Sequence, residues 1–156
     1  MEIIDYKPSL RHHFAKLNKE WLERYFAIEE VDKKIFNNPE HAILDQPGFI
    51  IFAKVDEDIV GTGAVVNCGT KWELIKMAVT EQYQGQGIGE IIARTLLKKA
   101  RDAGAENIFI VSNTKLKSAI KLYTKIGFKV VLQGPHPKYD RGNILLELNK
   151  LALNLI

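Results

Sequence analysis

Gln84-Gly85-Gln86-Gly87-Ile88-Gly89 lies between a strand-like run, Trp72–Val79, and a segment with helical periodicity that begins at Ile88. Apolar residues recur in that segment at three- and four-residue spacing, and Gly104 follows it as a natural C′ residue. Glycines let the backbone turn tightly and let a ligand approach the main chain. A strand, a glycine turn and a helix N-terminus leave unpaired N–H groups at the positive end of the helix dipole. The sequence therefore predicts an anion site here, and phosphate is the usual anion.

Two common phosphate-binding motifs do not fit this glycine segment. The dinucleotide fingerprint G-x-G-x-x-G would require a glycine where Glu90 stands, and the P-loop would require Gly-Lys-Ser/Thr at its end. The pattern present is Gln-x-x-Gly-x-Gly after a strand that ends Met77-Ala78-Val79. It resembles the acetyl-coenzyme A signature of the GNAT superfamily of N-acetyltransferases. A tight turn that binds no ligand is the alternative interpretation of the glycine segment alone.

A second motif follows at the expected place, after the strand that comes next. It reads Asn113-x5-Ala119-x3-Tyr123-x-Lys125-x-Gly127-Phe128 and also resembles the GNAT pattern. Two independent motifs in the right order are far more specific than either one alone. The resemblance extends from about Phe49 to Leu148, whereas the residues before Phe49 match only in outline.

Composition indicates an ordinary globular chain of 156 residues, which we expect to form a single domain over residues 1–156. The net charge of +3 is too mild to predict a nucleic-acid partner but suits a polyanionic cofactor. The N-terminus lacks the regions of a signal peptide, and no apolar run reaches the length of a membrane span, so we expect a cytoplasmic protein with no membrane partner. The single cysteine, Cys68, excludes an internal disulfide, and the four histidines lack metal-ligand spacing, so no metal is predicted.

Hydrophobic periodicity predicts the element order β-α-α-β-β-β-α-β-α-β-β. Short turns join the first strands of the sheet, as in antiparallel hairpins, and the apolar run Asn107–Ser112 suits a central parallel strand. The sequence thus predicts an α+β fold with α/β/α layers, in which helices flank a mixed, mostly antiparallel central sheet. The resemblance adds strands that splay apart.

Asn113 or Thr114 is expected to cap the second long helix. The apolar tail, residues 151–156, is expected to dock on the body or on a second subunit in a homodimer.

The resemblance implies that acetyl-coenzyme A (acetyl-CoA) is the cosubstrate and that main-chain groups bind most of it. Backbone N–H groups of Gln84, Gly85, Gln86, Gly87, Ile88 and Gly89 would bind the pyrophosphate. Main-chain groups of Met77, Ala78 and Val79 would pair with the pantetheine arm, and one of their N–H groups would polarise the acetyl carbonyl. Asn113 would bind the arm or orient the cofactor, and Ala119 and Tyr123 belong to the same cofactor-binding set. Glu90 departs from the expected pattern, because a carboxylate there would repel phosphate unless it points away.

Two side chains are candidate catalytic residues. Tyr123 would donate a proton to the departing thiolate, as the resemblance implies; a core aromatic is the alternative. Glu73 matches the position where some members of the superfamily carry a general base. It lies six residues before Val79, so period two predicts that Glu73 shares a side of the strand with Met77 and Val79. The alternative for Glu73 is a solvated strand-end carboxylate or a partner of Lys71 or Lys76.

The acceptor is expected to be a small-molecule amine, a lysine side chain or an N-terminal amine. The aromatic residues Trp21, Tyr25 and Phe26 are either core or a wall of the acceptor pocket, and helical spacing favours the core. The acidic residues Glu29, Glu30 and Asp32, near Tyr25, would suit a cationic acceptor. Four residues near the last two strands either line the acceptor site or are ordinary loop polarity: His136, Tyr139, Asp140 and Arg141.

The sequence as a whole predicts an N-acetyltransferase in which a bound amine attacks the thioester directly. No acyl-enzyme is expected, because Cys68 lies at a predicted turn without an activating base. Two alternatives remain open: a binding module that senses acetyl-CoA without turnover, and an acyltransferase that uses another acyl chain.

Overall fold

The computed structural model describes all 156 residues and contains one seven-stranded sheet between two layers of helices. The strands are β1 (Glu2–Asp5), β2 (Gly48–Val55), β3 (Asp58–Asn67), β4 (Trp72–Val79), β5 (Ile108–Ser112), β6 (Lys129–Gln133) and β7 (Ile144–Leu148). The helices are α1 (Arg11–Tyr25), α2 (Glu30–Asn37), α3 (Ile88–Asp102), α4 (Lys117–Ile126) and α5 (Lys150–Leu153). None of the helices is both long enough and apolar enough to span a membrane.

The strand order across the sheet is β1-β2-β3-β4-β5-β7-β6, in which only β4 and β5 run parallel. The sheet separates two hydrophobic cores. One core lies under α3, α4 and α5 and includes Val65 and Leu74, and the other lies under α1 and α2 and includes Ala64 and Ile75. Neighbouring residues of a strand thus contribute to opposite cores, as the pleat requires. The predicted α+β fold with a mixed, mostly antiparallel sheet is confirmed.

The parallel strands β4 and β5 pair over a very short distance and then diverge. Their register comprises Trp72 with Ile108 and Glu73 with Phe109, whereas β5 pairs along its whole length with β7. Beyond Glu73, the edge of β4 that faces β5 has no strand partner. This divergence opens a wedge in the middle of the sheet.

A β-bulge in β4 lies beside this wedge and changes which face each side chain occupies. Lys76 has a φ of 57°, and the pairing with β3 shifts between Thr62 and Ala64. An inserted residue reverses the alternation of side chains beyond it. Glu73 therefore shares the α1/α2 face with Ile75, and Met77 and Val79 pack against the core on the α3 side. The prediction that Glu73 shares a side with Met77 and Val79 is wrong, because period two holds only in a strand without a bulge.

A buried asparagine on α1 holds the bulge in place. The side-chain amide of Asn18, which has no exposed surface, donates hydrogen bonds to the carbonyl oxygens of Lys76 (3.1 Å) and Phe14 (3.0 Å). The first bond satisfies a carbonyl that the bulge turns out of the β3–β4 ladder. Across from the bulge, a Cβ at Gly63 would lie 2.5 Å from the sulfur of Met77 and 2.9 Å from side-chain carbons of Ile92 and Leu96, so a larger residue there would require these side chains to shift.

Two expectations about helix ends have different outcomes. Neither Asn113 nor Thr114 caps α4, which begins at Lys117; the Asn113 side chain instead accepts a hydrogen bond from the N–H of Lys115 (2.8 Å). The C-terminal tail forms α5 and docks on the body through Leu153, which has no exposed surface. Leu151 and Leu155 of the tail remain exposed, and the predicted homodimer stays a prediction.

Candidate active site

The wedge between β4 and β5 is the entrance to a cavity of about 1160 Å³. Its walls come from β4, the glycine segment, the N-terminal part of α4, α1 and the loop between β6 and β7. The cavity therefore collects residues from both sequence motifs and from the aromatic N-terminal helix.

The glycine segment presents a row of free backbone donors to this cavity. Gly85 and Gly87 adopt φ values of 78° and 83°, which L side chains rarely adopt, and α3 begins directly after them. The N–H groups from Gly85 to Glu90 donate no hydrogen bond within the protein; the first bond of the helix runs from the N–H of Ile91 to the oxygen of Gly87. The amide of Gln84 donates to the oxygen of Val79 (2.9 Å) and so ties the segment to the end of β4. This is the geometry of an anion site at a helix N-terminus.

Glu90 does not leave an unmatched negative charge beside these donors. Its carboxylate accepts hydrogen bonds from Lys125 (2.8 Å) on α4 and from Arg94 (3.0 Å) on α3. The bonds from Lys125 and then Arg94 lower the pKa of Glu90 below its usual value. The repulsion of phosphate expected from the sequence is therefore offset by two cations.

The second motif contributes Ala119 and Tyr123, which both line the cavity from α4. Tyr123 is buried with its ring edge against Phe128 (centroids 5.9 Å apart), and its hydroxyl makes no hydrogen bond within the protein. Burial raises the pKa of Tyr123 well above its usual value. The hydroxyl therefore keeps its proton and has it free to donate.

Asn113 and Gln86 are the predicted site residues that do not line the cavity. The amide of Asn113 donates to the oxygen of Arg141 (2.7 Å) and thereby joins the end of β5 to the β6–β7 loop. Both of its polar atoms are thus occupied within the protein, since its oxygen accepts from Lys115. The remaining predicted residues, Glu73, Met77, Ala78, Val79, Gln84, Gly85, Gly87, Ile88 and Gly89, all line it.

Glu73 lies at the start of β4 with no exposed surface. Its Oε1 accepts a hydrogen bond from the ammonium of Lys138 (2.5 Å), while its Oε2 is buried without any partner. Neither alternative partner expected from the sequence binds Glu73, because Lys71 pairs with Glu147 (2.7 Å) and Lys76 with Asp32 (2.5 Å). A buried carboxylate with one unsatisfied oxygen is costly, so Glu73 remains a candidate functional residue.

Cys68 lies near Glu73, with its sulfur 4.0 Å from Oε1. Burial, and then the charge of Glu73, raise the pKa of the Cys68 thiol. The thiolate is the nucleophilic form of cysteine, so this environment disfavours it.

A buried network of charges forms the floor beside Glu73. Asp32 accepts from Lys76 and, through both oxygens, from Arg141 (2.7 and 2.8 Å). Burial acts to raise the pKa of Asp32, but the hydrogen bonds from Arg141 and the charge of Lys76 outweigh it and lower that pKa to about 2. Glu29 also pairs with Arg141 (2.8 Å). Glu29 and Asp32, expected to attract a cationic acceptor, are therefore already neutralised.

Aromatic rings complete the wall on the α1 side. Trp21 and Tyr25 line the cavity, whereas Phe26 does not. Tyr25 is 53% exposed, so the interpretation as core is wrong for Tyr25. Trp21 is partly buried and also packs against the core under α1 and α2, and an acceptor pocket at these rings stays a prediction. Tyr139 is buried with its ring centroid 5.3 Å from the Lys138 ammonium and 5.4 Å from that of Lys76. Of the loop residues considered in the sequence, Tyr139 and Arg141 line the cavity, and His136 and Asp140 do not.

Sequence reasoning missed Lys138 and Asn18. Lys138 is 65 residues from Glu73 along the chain, and Asn18 is 58 residues from Lys76. No local pattern predicts contacts of that range. A lone asparagine on the apolar face of α1 was the only available signal for Asn18.

Comparison with known proteins agrees with this geometry. The sequence model of the acetyltransferase (GNAT) family matches residues 11–128. Over 57 residues the chain is 35% identical to N-acetyltransferase 8 of Mus musculus, a match that covers 36% of this chain and 25% of that relative. The chain thus matches about a quarter of the length of this curated relative.

Solved structures share the fold at low sequence identity. An acetyltransferase of the GNAT family from Staphylococcus aureus Mu50 has a TM-score of 0.85 at 22% identity, with 96% of this chain and 98% of that chain covered. An acetyltransferase from Salmonella typhimurium, solved with its cofactor acetyl-CoA, has a TM-score of 0.78 at 18% identity, with 96% and 94% covered. The family match includes both the glycine segment and the second motif. This chain belongs to the GNAT family of acetyltransferases.

Proposed function

We propose that the chain is an N-acetyltransferase that moves an acetyl group from acetyl-CoA to a primary amine by direct attack in a ternary complex. The observation that carries the proposal is the row of free N–H donors from Gly85 to Glu90, whose residues, except Gln86, line the same cavity as Tyr123 and Glu73. Family membership supports it, as does the name of the mouse relative, N-acetyltransferase 8.

The residues present fit acetyl-CoA, which supplies an activated thioester when it is bound. The free N–H groups of the glycine segment would hold its pyrophosphate, and Lys125 and Arg94 keep Glu90 from opposing it. Main-chain groups of Met77, Ala78 and Val79 that do not face β3 lie on the unpaired edge of β4, where an amide-bearing arm would add like a strand.

Proton transfer is the work of Glu73 and Tyr123 in this proposal. An alkylammonium has no lone pair, so Glu73 first takes one proton from it. The freed amine then bonds to the thioester carbon, the carbon–sulfur bond breaks, and its electron pair stays on sulfur. Tyr123 donates a proton to that sulfur, and the proton lost by the new amide nitrogen replaces the one that Tyr123 gave. The products are an amide and a free thiol, and one proton reaches solvent from Glu73.

One observation favours a second function, a module that senses acetyl-CoA without turnover. The ion pair with Lys138 already neutralises Glu73, so the candidate base is not free in this conformation. A sensor would bind acetyl-CoA tightly and acetylate none of the amines offered to it.

Release of free thiol from acetyl-CoA tests the proposal and the alternative together. The assay offers a panel of alkylamines, polyamines, amino acids and lysine peptides, with Glu73→Gln as the variant and Glu57→Gln as its exposed control. We expect release that depends on one class of amine, is unchanged in Glu57→Gln, and has a shifted pH–rate profile in Glu73→Gln. Acetyl-CoA binding by calorimetry without release from any amine would favour the sensor instead.

A further inference from the structure

Glu73 already holds an ammonium group, and that ammonium belongs to the protein itself. The Lys138 side chain enters from the β6–β7 loop and donates to Oε1, although Lys138 is not among the residues that line the cavity. The pair is asymmetric in burial: the side chain of Glu73 is 1% exposed and that of Lys138 is 35% exposed. The partly exposed ammonium of Lys138 thus pairs with the buried carboxylate of Glu73.

The surroundings of the Lys138 ammonium have the chemistry of a binding site for an alkylammonium ion. Glu73 supplies a carboxylate at 2.5 Å, and the ring of Tyr139 lies with its centroid 5.3 Å from the same nitrogen. A carboxylate combined with an aromatic face attracts an alkylammonium by charge and by the ring quadrupole. We name Glu73 and Tyr139 the ammonium site. Lys138 satisfies this site only in part, because Oε2 of Glu73 remains buried without a partner.

The side chain of Lys138 can leave the ammonium site without unfolding the loop. Tyr139 is buried, and Arg141 is fixed by Asp32, by Glu29 and by the bond from Asn113 to its carbonyl. The backbone of Lys138, in contrast, is held by one hydrogen bond, from its N–H to His136 (3.1 Å). Displacing Lys138 therefore breaks its ion pair with Glu73 and its contact with the Tyr139 ring and moves one flexible side chain, while the aromatic half of the site stays in place.

The β4 bulge gives the two substrates separate approaches to the wedge. Met77 and Val79 face the α3 side, where the glycine segment lies, whereas Glu73 faces the α1/α2 side. An amine can therefore approach Glu73 from the loop side while the thioester is held from the α3 side. The side chain of Lys138 occupies this approach of the amine to Glu73.

We propose that Lys138 is an internal ligand of the ammonium site, which it occupies until the ammonium group of the acceptor displaces it. The acceptor is then a primary amine that arrives in its charged form, on an alkyl carbon that packs against Tyr139. This inference rests on the proposed function in one respect, that the ammonium ligand is the acceptor of the acetyl group. The ammonium site itself is defined only by the binding of an alkylammonium ion. Lys138 keeps the buried charge of Glu73 matched when no acceptor is present and competes with weak ligands.

Calorimetric titration with n-butylammonium chloride, without acetyl-CoA, tests the inference directly. Lys138→Ala empties the site, and we expect it to bind n-butylammonium about tenfold more tightly than wild type, because the ligand no longer competes with an internal one. Lys129→Ala, which removes an exposed lysine from β6, is the control for net charge and should bind as wild type does. The double variant Lys138→Ala/Glu73→Gln should lose the gain.

Equal affinity in wild type and folded Lys138→Ala would overturn the inference. If Lys138→Ala does not fold, Lys138→Gln replaces it, because glutamine retains a neutral donor for Glu73. Lys138→Gln should show a smaller gain in n-butylammonium affinity, and no gain in that variant would also overturn the inference. The result is independent of turnover. Tighter n-butylammonium binding by Lys138→Ala, together with no acetyl transfer, would refute the proposed function and support the ammonium site. Acetyl transfer, together with equal n-butylammonium affinities, would support the proposed function and refute the ammonium site.

Discussion

Tyr123 carries a hydroxyl that has no partner within the protein, on a ring buried against Phe128. The motif identified the residue, but only the structure explains why it holds its proton, since burial raises its pKa. For Glu73, the sequence predicted a candidate catalytic position but did not predict its partner Lys138. At the scale of single residues, chemistry depends on neighbours that are distant in the chain.

Replacing Tyr123 with phenylalanine should lower kcat and spare binding. Loss of a general acid costs about 10²–10⁴-fold in rate, and the hydroxyl makes no bond on which the fold depends. Stopped assays of thiol release at saturating acetyl-CoA give kcat, and calorimetry gives the affinity for acetyl-CoA. Tyr6→Phe, which removes a hydroxyl that donates to Glu40 away from the cavity, is the control and should keep the wild-type kcat. A Tyr123→Phe variant with wild-type kcat would remove Tyr123 from the mechanism.

The central elements of the wedge are β4 and the N-terminus of α3, and each depends on one feature that is hard to substitute. The bulge in β4 depends on Asn18, whose amide binds the Lys76 carbonyl. The start of α3 depends on Gly87, whose φ of 83° few other residues accept. A prediction belongs to each of these elements.

Asn18→Ala should destabilise the fold by about 1–3 kcal/mol, because the carbonyl oxygen of Lys76 loses its buried side-chain donor. It should also lower kcat/KM, since the bulge sets the direction of the main chain from Met77 to Val79. Urea unfolding measures the first effect and thiol release the second. Asn154→Ala, near the C-terminus, removes an exposed amide and should change neither. Loss of stability with unchanged kcat/KM would mean that the bulge serves the fold alone.

Gly87→Ala should weaken acetyl-CoA binding through backbone strain. An alanine Cβ there meets no atom within 4 Å, so the penalty is the positive φ, about 1–2 kcal/mol. Gly104→Ala, at the far end of α3, has a φ of 102° and equally open space and is therefore a matched control for strain. Calorimetry should detect weaker binding in Gly87→Ala and wild-type affinity in Gly104→Ala. Equal affinities in the two variants would contradict a role for the glycine segment in binding.

At the scale of the whole molecule, the sequence predicted the α+β fold, the strand order along the chain and the family. Periodicity in β4 and α3 and the spacing of two motifs were local signals strong enough for that. The β4 bulge was not predictable, because nothing in the local pattern around Lys76 marks an inserted residue. The buried network was also hidden, since Asp32 is 44 residues from Lys76 and 109 from Arg141. Tertiary contacts decide such features.

That network should make stability depend on pH. The folded pKa of Asp32, about 2, lies below its usual value of 3.8, so its contribution is complete above about pH 5 and is lost as the pH falls toward 2. The shift corresponds to about 2 kcal/mol. Urea unfolding of wild type and Asp32→Asn from pH 7 to pH 3 should give a difference in unfolding free energy that shrinks with acidity. Glu57→Gln, at an exposed carboxylate, should differ from wild type by less than about 0.5 kcal/mol throughout. A difference for Asp32→Asn that is constant with pH would exclude this linkage.

Transfer of the acetyl carbon itself is the most direct test of the account. The measurement follows [1-¹³C]acetyl-CoA by NMR in the presence of the protein and the amine panel. We predict a ¹³C amide resonance on one class of primary amine that grows at the same rate as free coenzyme A appears. Free coenzyme A accompanied only by ¹³C-acetate, or no loss of acetyl-CoA with any amine, would contradict the claim that this chain is an N-acetyltransferase.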